Sequence, residues 1–224
     1  MRWLDRFRWL LLWLGLPFIG IFLWDITPGD LAVVRWYGSA QGFPWREQFW
    51  LATALHNWPQ RAGLLLLAGC IVAIWHPRSV WTHTTQRERL WLATMVLFCA
   101  LLIPAIKLQS NTSCPWELRE FGGTARYVWH FTFTVPDGGP AKCFPSGHAS
   151  TFFSFLPAFW LIRRYRPKAA WIALAVLCTA GMVLSWGQVV RGAHFPSHLL
   201  WTGWLCWAVG VVASPWLGPP RQVD

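Results

Sequence analysis

Ala141–Ile162 reads AKCFPSGHASTFFSFLPAFWLI, and two readings of its polar start compete. In one, Pro145 and Ser146 simply begin a helix, with proline in the first turn and serine as its cap. In the other, the helix head is an anion site, because free N–H groups and the helix dipole gather there and Ser146 and His148 add donors. The remainder is the same in both: an uncharged apolar run, Thr151–Ile162. Begun at Pro145, the helix is about 18 residues long, close to the roughly 20 that span a bilayer.

Similar runs recur at Trp9–Trp24, Ala62–Trp75, Leu90–Ile106, Ala169–Trp186 and Leu199–Trp216. Only 12% of the 224 residues are charged, where a soluble domain carries about 25%. Twenty tryptophans and a mean hydropathy of +0.35 point the same way. The chain is therefore read as all-α: one domain, residues 1–224, forming a polytopic membrane protein with six transmembrane helices. The basic start MRWLDRFR resembles a signal peptide, but FLWDITPGD after it offers no small-residue cleavage site, so an uncleaved first span is expected. Trp24, Trp75, Trp91, Trp171, Trp186 and Trp201 fall near predicted helix ends, where interfacial belts collect aromatics.

Six spans place the N-terminus, HPRSVWTHTTQRER, RRYRPK and the C-terminus on one side. That side holds Arg2, Arg6, Arg8, Arg78, Arg87, Arg89, Arg163, Arg164, Arg166, Lys168 and Arg221, packed into short loops, and so is expected to face the cytoplasm. The formal charge of +10 is then mainly a topology signal with some attraction to anionic lipid. A nucleic-acid partner would need a basic soluble face, and the sequence has none. Two outer segments are long: Ile26–Arg61, expected to hold a turn and a short interfacial helix, and Lys107–Cys143. Cys70, Cys99, Cys178 and Cys206 lie within spans, as small packing residues. Cys114 and Cys143 alone lie in loops, both on the oxidising side, and are expected to form a disulfide.

Three polar clusters share the outer face: Lys107 at the end of the third span, Pro-Ser-Gly-His at 145–148, and RGAHFPSH with Arg191, His194 and His198. Each has a plain reading, as a snorkelling anchor, a helix cap and a turn before a helix. Together they suit phosphoryl transfer, which needs cations and N–H donors for the phosphoryl oxygens, an in-line nucleophile and an acid for the leaving oxygen. Histidine can fill both of the last two roles.

In this order the clusters resemble the type 2 phosphatidic acid phosphatase superfamily, whose relatives include vanadium haloperoxidases and bacterial acid phosphatases. The family pattern is Lys, six residues, Arg-Pro; then Pro-Ser-Gly-His; then Ser-Arg, five residues, His, three residues, Asp. Here Lys107 is followed after six residues by Cys114-Pro115, and Pro145–His148 matches throughout. His194 takes the nucleophile position, while Gln188 stands for the expected Arg and His198 for the expected Asp. The motif core spans 107–198.

The resemblance implies that His194 attacks phosphorus to form a phosphohistidine and that His148 protonates the leaving group. Lys107, Ser146 and the Gly147 N–H would hold the oxygens, and no metal or other cofactor is expected. Arg191 can replace the Arg lost at 188, and Arg119 or Arg126 the one lost at 114. His198 would orient His194, with Glu117 the favoured outer carboxylate over Glu120 and Asp137. The expected function is a membrane lipid phosphatase on the periplasmic face of a bacterial-type inner membrane, its substrate an isoprenyl diphosphate, phosphatidylglycerophosphate, phosphatidate or lipid A. A phosphotransferase using the same phosphohistidine and an inactive lipid-phosphate binder are the alternatives. A metal or haem protein using His130, His148, His194 and His198 is disfavoured, because these lie in loops and at helix heads. His194→Ala is expected to leave stability largely intact, the residue being read as part of a polar outer loop.

Overall fold

Every apolar run becomes helix, but the fourth does so in two pieces. In the computed structural model of the chain, residues 3–132 and 134–218 are described; Arg2 and Arg221, counted above with the basic side, lie outside them. α1 (Trp3–Leu10) continues through a wide turn at Leu11–Gly15 into α2 (Leu16–Asp25). The expected short helix in the next connection is α3 (Gly29–Val34). α4 (Leu55–Trp75), preceded by a wide turn from Trp50, leads to α5 (Gln86–Leu108). The fourth run yields α6 (Ser150–Phe153) and α7 (Ala158–Ile162), followed by α8 (Pro167–Val190) and α9 (Pro196–Ala213).

Among the described residues five helices are long and apolar enough to cross a membrane: Phe7–Asp25, Trp50–Trp75, Gln86–Leu108, Pro167–Val190 and Pro196–Leu217. The sixth expected span, Ser150–Ile162, is shorter and turns at residues 154–157. Pro157 lacks an N–H and its ring crowds the carbonyl four residues back, so one continuous helix would be costly there.

α5 starts at a reciprocal cap. The Glu88 N–H donates to Thr85 Oγ1 at 3.2 Å, and the Thr85 N–H donates to Glu88 Oε2 at 2.8 Å. Glu88 also takes the Tyr165 hydroxyl at 2.9 Å and pairs with Arg164 at 3.4 Å, tying the basic connection after α7 to this end of α5. α9 is the central helix, packed against α2, α5, α6, α7 and α8. Such closeness needs a small residue: a Cβ on Gly210 would stand 2.9 Å from the Pro157 Cα and from the Trp160 ring. Trp13, Phe159, Trp160 and Trp207 interlock beside it. Leu65, Leu101, Ile172, Val176 and Val183 point outward instead, as side chains facing hydrocarbon do.

The end of α5, the head of α6, the end of α8 and the head of α9 all lie at the end of the helices opposite Glu88. Over them folds the 109–143 loop, closed by the Cys114–Cys143 disulfide with its Cα atoms 5.2 Å apart. The loop is seated on the α8–α9 turn, the Trp116 N–H donating to the Gly192 carbonyl at 2.9 Å.

Candidate functional site

His194 sits between α8 and α9. The Ala193 and His194 N–H groups both donate to the Gln188 carbonyl, at 2.8 and 3.3 Å, which folds the turn back on the last coil of α8. Gly192 makes that turn possible: its φ is +75°, and a Cβ there would lie 2.4 Å from the Phe43 ring. His194 is not in a solvated loop, as the sequence suggested, but only 1% exposed. Its Nδ1 lies 3.4 Å from His198 Nδ1 and 3.6 Å from Cys143 Sγ. The His148 ring is centred 5.7 Å away. Burial, then the neighbouring His198, His148 and Lys107, hold the His194 pKa well below the ordinary imidazole value.

The Pro-Ser-Gly-His segment is fixed to α9. The Ser146 N–H donates to the His198 carbonyl at 3.3 Å, and the Ser146 carbonyl accepts from Thr202 Oγ1 at 3.0 Å. Ser146 Oγ accepts the Ala149 N–H at 3.4 Å, a cap in function, while nothing among the described residues lies within 4 Å of a Cβ built on Gly147. Lys107, Gly147 and His148 line a cavity of about 470 Å³; its wall continues along Leu64, Leu67, Val96, Ala100, Pro104 and Phe155, between α4, α5 and α6, and also carries Gln60, Ser150, Thr151 and Ser154.

Arg191 is on the same turn as His194. Its Nη1 donates to Gln188 Oε1 at 3.1 Å and its Nε to the Arg46 carbonyl at 2.7 Å. Arg119 and Arg126 are exposed and hydrogen-bonded within their own loop, to the Thr124 and Pro136 carbonyls at 3.0 and 3.3 Å. The outer-loop carboxylates make contacts with groups other than His194. Glu117 accepts the Cys114 N–H at 2.9 Å and faces Lys107 electrostatically. Glu120 pairs with Arg35, and Asp137 binds Ser113 and the Gly139 N–H.

The sequence reading did not single out two further carboxylates near the histidine cluster. Asp25, buried, pairs with His130 Nε2 at 3.1 Å and accepts from the Trp129 and Trp201 indoles at 3.1 and 3.3 Å. His130 stacks on Phe144 at 3.9 Å and meets His198 edge-on, ring centres 5.3 Å apart. Asp30 accepts the Ser197 N–H at 3.0 Å and the Ser197 hydroxyl, capping α9 beside His198; burial raises its pKa. A usable signal existed in WDITPGD: carboxylates adjoining an apolar run need partners inside the protein. Cys114, Cys143 and His194 bring potential ligand atoms within 4.8 Å of one another, but the two sulfurs are bonded to each other and offer no thiolate to a metal.

A lipid A 1-phosphatase of Rhizobium etli is 32% identical over 128 residues, which is 54% of this chain and 49% of that protein. The chain thus spans about half the length of this curated relative. No solved structure gives a significant match. Residues 88–221, which include Lys107, the 145–148 turn and the His194–His198 pair, match the PAP2 superfamily, and over that length of shared sequence the chain belongs to it.

Proposed function

We propose that the protein is a lipid phosphatase working through a phosphohistidine on His194, at the periplasmic face of a bacterial-type inner membrane. One observation carries the reading. Lys107, Gly147 and His148 line a cavity between membrane-spanning helices together with Gln60, Ser150, Thr151 and Ser154 and with the apolar side chains Leu64, Leu67, Val96, Ala100, Pro104 and Phe155, and His194 lies next to His148. A phosphate head and a lipid tail have complementary places there.

The contacts support the following chemistry. His194 Nδ1 faces His198 and the disulfide, so Nε2 is the nitrogen that attacks phosphorus. Its lowered basicity keeps it neutral and nucleophilic at neutral pH. His148 gives its proton to the leaving lipid oxygen, and Lys107, Ser146 and the Gly147 N–H hold the phosphoryl oxygens. Water, deprotonated by His148, then attacks the phosphohistidine, and inorganic phosphate leaves. The basic connections lie at the far ends of α5 and α8, which supports placing the site outside.

The Rhizobium relative puts lipid A beside isoprenyl diphosphate, phosphatidate and phosphatidylglycerophosphate as substrates to try. The test is phosphate release from these four by wild type and His194→Ala in detergent, with and without EDTA. EDTA-insensitive release that vanishes in the variant is expected. A variant keeping more than about a tenth of the activity would sink the nucleophile assignment. Failure to release phosphate from any of them points to a phosphotransferase lacking its acceptor or to an inactive binder, which trapping of phosphorylated His194 separates.

A further inference from the structure

Gln188 is fully buried at the end of α8. Its Oε1 accepts from Arg191 Nη1 at 3.1 Å, yet among the described residues its Nε2 has no hydrogen-bond partner. Flipping the amide does not resolve this, because a guanidinium only donates and the oxygen must face it. Arg191 therefore fixes which way the amide points. Arg191 is itself held by the Arg46 carbonyl at 2.7 Å. A buried N–H₂ group left unpaired forfeits its hydration with no return, and such groups in a native fold call for an explanation. The same residue's carbonyl receives the His194 N–H, so the unpaired donor and the nucleophile belong to one turn.

We propose that the Gln188 side-chain amide is a catalytic hydrogen-bond donor to a phosphoryl oxygen, aimed by Arg191 as its positioning residue. The ligand class is a phosphate monoanion or dianion, whether the lipid's head group or the released inorganic phosphate. The arrangement joins a neutral donor to a cation: the guanidinium on Oε1 polarises the amide and makes Nε2–H a stronger donor. The inference rests on the phosphatase reading, but part of its test does not need turnover.

The decisive variant is Gln188→Met, similar in length and free of polar hydrogens. It removes an unpaired buried amide, so its melting temperature without phosphate should equal or exceed that of wild type. Inorganic phosphate at millimolar concentration should raise the melting temperature of wild type and leave that of Gln188→Met unmoved. On the best lipid substrate, kcat/KM should fall on the order of 10²-fold. Gln188→Glu, which keeps the Arg191 contact but turns a donor into an acceptor, should lose both responses while remaining folded. Retained phosphate stabilisation in Gln188→Met, with activity within about threefold of wild type, would show that the amide serves packing or a buried water. A wild type that phosphate does not stabilise would count equally against the donor role. Failure of the phosphatase reading looks different: His194→Ala would still release phosphate, or wild type would release none, whatever phosphate does to the melting temperature.

Discussion

His194 and His198 face each other nitrogen to nitrogen, Nδ1 to Nδ1 at 3.4 Å. Only one proton fits between them, so one ring donates and the other accepts. A neutral imidazole at 198 orients its neighbour without adding charge. His198→Asp would substitute an anion for a partner that can turn positive. The basicity of His194 should rise, and the acid limb of the rate profile should move to higher pH. An unmoved acid limb would mean that residue 198 does not govern the nucleophile.

Protonation of His194 also links to folding. Its folded-state pKa lies below the ordinary 6.5, chiefly through burial. As pH falls the unfolded chain takes up this proton first, so the stability tied to neutral His194 is complete above about 6.5 and declines as pH drops towards the folded value. Melting temperatures measured between about pH 7 and 5 should fall, and His194→Gln should flatten part of that slope. An identical slope in the variant would assign the effect to other groups.

Arg191→Ala should reduce turnover on the order of 10²–10³-fold. Lost aim of Gln188 and lost positive charge both act in that direction. A loss below threefold would remove Arg191 from the site.

Ala100 lines the apolar wall of the cavity. Ala100→Trp should raise KM for a long-chain lipid phosphate several-fold while leaving a short, water-soluble phosphoester nearly unaffected. Equal effects on both would place the lipid tail elsewhere.

Thiol counting should find Cys70, Cys99, Cys178 and Cys206 alkylatable in the denatured, unreduced protein, with Cys114 and Cys143 appearing only after reduction. Breaking the bond by a double Ala substitution should cost about 3–4 kcal/mol in the chain-entropy account.

Much of this was legible along the chain, because spans announce themselves by uncharged length and Pro145–His148 is a contiguous element. The loop pairing of Cys114 with Cys143 followed from the two cysteines lying outside the spans. The hidden part is the part made by distance in sequence. Asp25 meets His130 and Trp201 across 105 and 176 positions, and no local pattern announces such a pairing. Arg119 and Arg126 have the right charge, but their loop's own carbonyls claim them. The break after Phe153 was written in Pro157, whose effect is outweighed in any hydropathy reading by the phenylalanines around it. Burial of His194 depends on the loop folded above it, which a polar local sequence conceals.

The disulfide has a consequence beyond fastening a loop. Cys143 Sγ lies 3.6 Å from His194 Nδ1, so in the proposed orientation the covalent closure beside His194 forms only after export to an oxidising compartment. A molecule inserted upside down, or still awaiting oxidation, would keep two thiols and a 109–143 loop not yet closed beside His194. Maturation of the proposed catalyst would thus be tied to arrival on the oxidising side of the membrane.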